Sequence, residues 1–230
     1  MWSRLPVHTS PLCPLDQVVA DLVQARRPYE LSGGNIQEFQ KRPFPSVQSL
    51  LNSENETETE KSPVTTLIVN KIINIMTVPT LPEQLAILWF MGSVIRWLIS
   101  PTEANYNSMP EWLRPTPAQL ECPHPIWMDL FLWPKAREKM CRSPEYHDKI
   151  DIMSGVSNES ISINWPYQLS DMVMQVNGLG SEIVLTPAFE RHMKDLKNWS
   201  VGPRMFEVFP GLADTGINIR STGGVPGWSW

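Results

Sequence analysis

The residue pattern points to a mainly α fold: a compact helical domain joined by proline-rich and tryptophan-rich connecting segments. Three observations carry this. Apolar residues recur at three- and four-residue steps in several stretches between positions 67 and 199. The 22 prolines keep those stretches short and place ordered turns between them. Ten tryptophans, each able to bury about 150–250 Å2, supply much of a small core. With 42% apolar and 19% charged residues over 230 positions, the chain suits one domain with loose ends.

Residues 1–63 read as a flexible leader. A short helix, PLDQVVADLVQA at 14–25, interrupts it. The acidic run NSENETETEK at 52–61 has almost nothing to bury and reads as a linker. The helical domain is placed at 64–215. Its first stretch, VTTLIVNKIINIMTV, sets Leu67, Val69, Ile72, Ile73 and Met76 near one stripe, with a strand as the alternative for its first residues. The next helix begins after Thr80. Pro82 lies in its first turn, Glu83 takes the capping-box position, and Pro101 ends it. Its apolar residues cover nearly every side, as expected of a central helix. The run LAILWFMGSVIRWLI, 85–99, contains Arg96 and falls short of the roughly 20 apolar residues of a membrane span. Neither that run nor the N-terminal residues, which lack a signal-peptide apolar core, suggest a membrane or a secretory route.

From 101 to 134 prolines punctuate the chain, and Trp112, Trp127 and Trp133 should lay this segment over the helices. TPAQL starts a helical turn. Pro134 opens the short helix KAREKMC, and SPEYHDKIDIM holds another helical piece. ISINW alternates like a short strand, with Trp165 held extended by Pro166. QLSDMVMQV reads as a helix and NGLG as a turn. The last convincing helix starts at Pro187, with Phe189, His192, Met193, Leu196 and Trp199 recurring along it. RMFEVFP adds a turn, the chain from Gly211 is expected to be poorly ordered, and 216–230 forms a flexible tail.

Chemistry-bearing residues are sparse. Cys122 and His124 make a CxH pair, but a closed zinc site usually needs four ligands, and His147, Asp129 or Cys141 would have to be recruited. A Cys–His nucleophile would need a third group to orient its base, and the spacing supplies none. Asp129, inside IWMDLFLW, must find a partner if buried; the candidates are a cap on the following turn or an ion pair with Arg137. No phosphate-binding glycine loop or zinc-finger spacing occurs. Net charge is -5, which argues against a domain dedicated to nucleic acid. The basic run KAREKMCR is short and reads as a solvated face. Three cysteines without CxxC spacing read as free thiols in a reducing compartment. No catalytic residue, metal ligand or cofactor is assigned.

LRPTPAQL at 113–120 and PHPIWMDLFLWPKAREKM at 123–140 resemble the central phrases of a fungal domain of unknown function. That domain often forms the C-terminal part of bZIP-like transcription regulators. SINWPYQLSD, GSEIVLTPAFERHMKDLKNWSVGP and FPGLAD resemble its second half, in the same order.

The resemblance implies a mainly helical, noncatalytic regulatory or protein-interaction domain, nuclear or nucleocytoplasmic, tied to transcription and to fungal secondary metabolism. It implies a protein partner, including a separate DNA-binding regulator. Residues 1–63 hold neither a basic helix nor a leucine repeat, so direct DNA binding by this chain is not expected. The alternatives are an enzyme or accessory protein acting on a small apolar metabolite, and a bZIP factor whose basic region lies outside this chain. Trp112, Trp127, Trp133 and Trp199 are the expected packing anchors, and Trp165 is a further candidate structural or interaction residue. Arg96, Arg114, His124, Asp129, Arg137 and His192 are the candidates for polar contacts among them.

Overall fold

Helix α2 (Leu81–Ile99) sits at the centre of the fold because its sequence gives solvent almost nothing to face: every residue but Leu81, Gln84 and Arg96 is buried. It belongs to a computed structural model that describes residues 2–31, 78, 80–158, 160–177 and 181–220. The stripe expected at 64–77, the acidic linker at 52–61 and the tail beyond 220 lie outside the described residues. Glu83 departs from its expected role as a capping-box residue. It is buried, and its Oε1 accepts from the Ile163 backbone N–H at 2.8 Å and the Ser162 hydroxyl at 3.2 Å. It therefore ties α2 to a segment 80 positions away.

Around α2 the chain wraps in short pieces, as the prolines require. Helix α1 (Pro14–Leu31) lies against it, with Leu15, Val19 and Leu22 buried. Helix α3 (Glu103–Ser108) follows directly, capped by Thr102, whose side chain accepts from Asn105 N–H. A 3-10 turn at Glu111–Leu113 leads to α4 (Pro117–Glu121). A second 3-10 turn, Ile126–Leu130, leads to α5 (Pro134–Arg142). A single turn at Pro144–Tyr146 precedes α6 (Ile150–Asn158). The C-terminal side adds α7 (Pro187–Lys194), whose Thr186 cap accepts from Phe189 N–H, and α8 (Arg204–Val208). The molecule is mainly α, and no helix among the described residues is long and apolar enough to cross a membrane.

Four further expectations change. The leader is not loose over residues 2–31. Helix α1 is longer than expected, and the segment before it pairs with the core, because Leu15, Val19 and Leu22 share one face that α2 covers. QLSDMVMQV is not a helix: a 3-10 turn at Leu169–Met172 runs into strand β1 (Val173–Asn177). β1 pairs antiparallel with β2 (Ser181–Leu185), with Val173 opposite Leu185. Valines at 173, 176 and 184 suit that ladder better than a helix. ISINW is not a strand; it makes only a bridge at Ser162–Ser200. Asn164 at φ 51 turns the chain, with its amide donating to the Asn198 carbonyl and to Ser200 Oγ. The chain from Gly211 to Arg220 is ordered. Leu212, Thr215 and Ile217 are buried there, and Ile219 bridges to Val201.

Candidate functional site

The residues of highest chemical content meet where the chain's first segment crosses the loop after α4. Val7 N–H donates to the Gln119 carbonyl, His124 N–H to the Val7 carbonyl, and Thr9 N–H to the His124 carbonyl, each at 3.0 Å. This parallel pairing delivers His8 to Asp129. Three groups converge on the Asp129 carboxylate: His8 Nε2 at 2.6 Å from Oδ2, His124 Nε2 at 2.9 Å from Oδ1, and Gln119 Nε2 at 2.5 Å from Oδ1. The side chains of His124 and Asp129 are 0% and 3% exposed, and that of His8 is 21% exposed. The two imidazoles meet edge-on, with centroids 5.4 Å apart.

Behind Asp129 stands Arg137, fully buried on α5. It does not form the expected ion pair with Asp129. Its Nε donates to Gln119 Oε1 at 3.0 Å, and its two terminal nitrogens donate to the carbonyls of Phe131, Leu132, Trp112 and Arg114. Gln119 thus stands between the two charges. Its Oε1 also accepts Thr116 N–H, which fixes its NH2 toward Asp129. Glu138 on the same helix accepts from Ala118 N–H and so caps α4. A second buried acid, Asp16 on α1, accepts from Leu12 N–H and Trp127 N–H, and fastens α1 to the 3-10 turn that carries Asp129.

The electrostatics follow from this wiring. Burial opposes a charged His124, yet its hydrogen bonds to Asp129 and Cys141 and the Asp129 charge push it up to about 10. Burial likewise opposes the Asp129 carboxylate, but hydrogen bonds from His124 and His8 hold it well below the usual carboxylate range. Burial pulls Arg137 down to about 10, which leaves it charged at neutral pH. Cys141, buried beside His124, is pushed up by its burial, so it is a thiol rather than a poised nucleophile.

Trp112 and Trp199 pack on Phe90 of α2, at 4.8 and 5.7 Å between centroids. Their indole N–H groups donate to the carbonyls of Lys194 and Met193. Trp165 packs edge-on against Phe189 and His192, and His192 Nε2 donates to the Ile163 carbonyl. Trp127 and Trp133 are buried near the cluster, Arg114 lies over the Tyr106 ring, and Arg96 is half-buried on α2. Sequence reasoning missed His8, Asp16 and Gln119. The alternation in LPVHT and the early acid in PLDQ were the only local signals for the first two, and neither shows its distant partner.

An apolar pocket of about 180 Å3 lies between α1, α2, the 126–130 turn and α6. It is lined by Cys13, Ile87, Met91, Trp127, Phe131 and Met153 among others, and neither His124 nor Asp129 reaches it. The basic face of α5 is largely neutralised: Lys139 pairs with Asp214 at 3.0 Å and Arg142 with Glu138 at 2.7 Å.

Among known families, the domain of unknown function DUF3425 matches residues 92–220. The His124, Asp129 and Arg137 positions fall inside that span, and His8 and Asp16 fall outside it. No curated protein and no solved structure matches the chain.

Proposed function

The chain belongs to the DUF3425 domain family, and on that premise we propose that it is a noncatalytic, transcription-linked regulatory domain that works through a protein partner in a fungal nucleus. One observation carries the noncatalytic part. The densest polar chemistry of the molecule is spent internally: Arg137, Gln119, Asp129 and His124 bind one another and main-chain carbonyls, joining the LRPTPAQL and PHPIWMD phrases to α5. Catalytic groups are instead arranged toward a place where a reacting atom can sit.

Support for a partner contact comes from exposed side chains near β1. Tyr167, Leu169, Met174 and Val176 are all exposed along the approach to β1 and on its outer face. Apolar and aromatic side chains gathered this way favour protein contact. Direct DNA contact through α5 is disfavoured by the pairing of Lys139 and Arg142 with acids.

A second reading, a small apolar ligand acting as substrate or signal, is favoured by the pocket between α1 and α6. Its volume suits a ligand of one or two rings.

Affinity capture from fungal nuclei with the intact chain tests the first reading. The expected result is recovery of a sequence-specific DNA-binding protein by the wild-type chain, and loss of that protein with Tyr167→Ser and Met174→Ser combined. Recovery of biosynthetic enzymes with a bound small molecule, unaffected by those substitutions, would overturn it in favour of the second.

A further inference from the structure

We propose that His8, His124 and Asp129 form a binding site for a single divalent transition-metal ion of the zinc type. The donor atoms of the three residues all lie within 4.8 Å of one another. Two imidazoles and one carboxylate make a nitrogen–oxygen set suited to zinc and its first-row neighbours, and poor for calcium or magnesium, which prefer all-oxygen shells.

The hydrogen bonds around His124 supply the independent evidence. Its Nδ1 stands 2.8 Å from the Cys122 carbonyl, a group that can only accept, so Nδ1 carries hydrogen. Nε2 faces Asp129 Oδ1, an acceptor, at 2.9 Å, and in the metal-free protein it donates its proton there. A metal ion can take the place of that proton between the imidazole nitrogen and the carboxylate. With that proton displaced, His124 has an N–H to a backbone carbonyl on one side and a lone pair on the other, the usual orientation of metal-bound histidines.

The surroundings are set up in the same way. Gln119 donates to Asp129 Oδ1, and is itself held by Arg137 and Thr116, so the carboxylate is oriented with Oδ2 left toward His8. Arg137 adds positive charge nearby, but its donors go to Gln119 and to carbonyls rather than to Asp129. Placing an M2+ ion where the His124 proton sits changes the local charge by only one unit. The partly exposed His8 gives the ion a route from solvent.

Zinc–nitrogen bonds of about 2.0–2.1 Å place tetrahedral ligands about 3.3 Å apart. His8 and His124 now stand 2.6 and 2.9 Å from the carboxylate oxygens. Loading therefore widens both contacts, by about 0.7 Å at His8 and about 0.4 Å at His124.

The test uses the full chain, stripped with chelator and titrated with ZnCl2 by calorimetry and with CoCl2 by visible absorption. The expected result is one ion per chain, a tetrahedral Co2+ spectrum, and an affinity at least tenfold weaker in His8→Ala. His8→Gln keeps a donor for Asp129 while removing the imidazole. It should weaken the affinity equally and carries the test if His8→Ala does not fold. Absence of binding to the wild-type chain, or binding and Co2+ spectra unchanged in the folded His8 variant, would overturn the assignment.

Discussion

His8 Nε2 lies 2.6 Å from Asp129 Oδ2, although 121 positions separate the two residues in the chain. This contact fastens the N-terminal segment to the phrase that carries the family resemblance, and it divides the two partners' roles. His8 is one of three groups serving Asp129, whereas Asp129 is the charge on which the buried His124 depends.

His8→Ala should therefore cost about 1.5–3 kcal/mol, the range for a hydrogen bond to a charged group. Asp129→Asn should cost more, about 3–5 kcal/mol, because it strands a buried imidazolium. Urea unfolding of both variants measures the difference; equal losses would place the weight of the cluster on His8.

Stability should fall at both ends of the pH scale in chelated protein. Asp129 binds its proton well below the range of an unfolded carboxyl, so its contribution is present above about pH 4 and is lost as pH falls further. His124 keeps its proton up to about 10, while an unfolded imidazole releases it near about 6.5. Its contribution is complete below about 6.5 and drains away as pH rises toward 10. Urea midpoints across pH should show a plateau between about pH 4 and 6.5, and Asp129→Asn should flatten both limbs.

Arg137→Lys keeps the charge and should still destabilise by at least about 2 kcal/mol. An ammonium has three donors on a flexible stem, and the guanidinium here serves Gln119 and four carbonyls at once. Thermal unfolding checks this. A loss below about 0.5 kcal/mol would show that the carbonyls find other donors.

Trp199→Ala should cost about 3–5 kcal/mol, because Trp199 is fully buried against Phe90. Trp165→Ala should cost distinctly less. Trp165 is only partly buried, and its N–H serves the exposed Gln168 carbonyl. Parallel denaturation curves for the two variants give the comparison.

Much of the helical frame was legible in the sequence, and the reason is local. Helix α2 announces its start through Thr80 and Pro82 and its centrality through apolar residues on every side. Pro134 and Pro187 mark the openings of α5 and α7 in the same way. The β1–β2 hairpin was not legible, because Leu169, Met172, Val173 and Val176 also fit a helical stripe, and only pairing with Ser181–Leu185 decides between the two. Within the cluster, Asp129 stood out as an acid among aromatics. Of its partners, His124 drew notice through Cys122, but Gln119 and His8 did not, since His8 reaches it through a parallel pairing with a segment more than a hundred positions away. The expected pairing of Asp129 with Arg137 was near the mark in space, but Gln119 interposes itself.

The same parallel pairing has a consequence in time. Residues 7–9 leave the ribosome before residues 119–129, so neither their three backbone bonds nor the His8 contact can form until those residues have followed. Closing a loop of more than a hundred residues is among the slower steps open to a chain this size. Residues 7–9 are thus among the last to dock, and until they do the acid-bearing turn keeps one side uncovered.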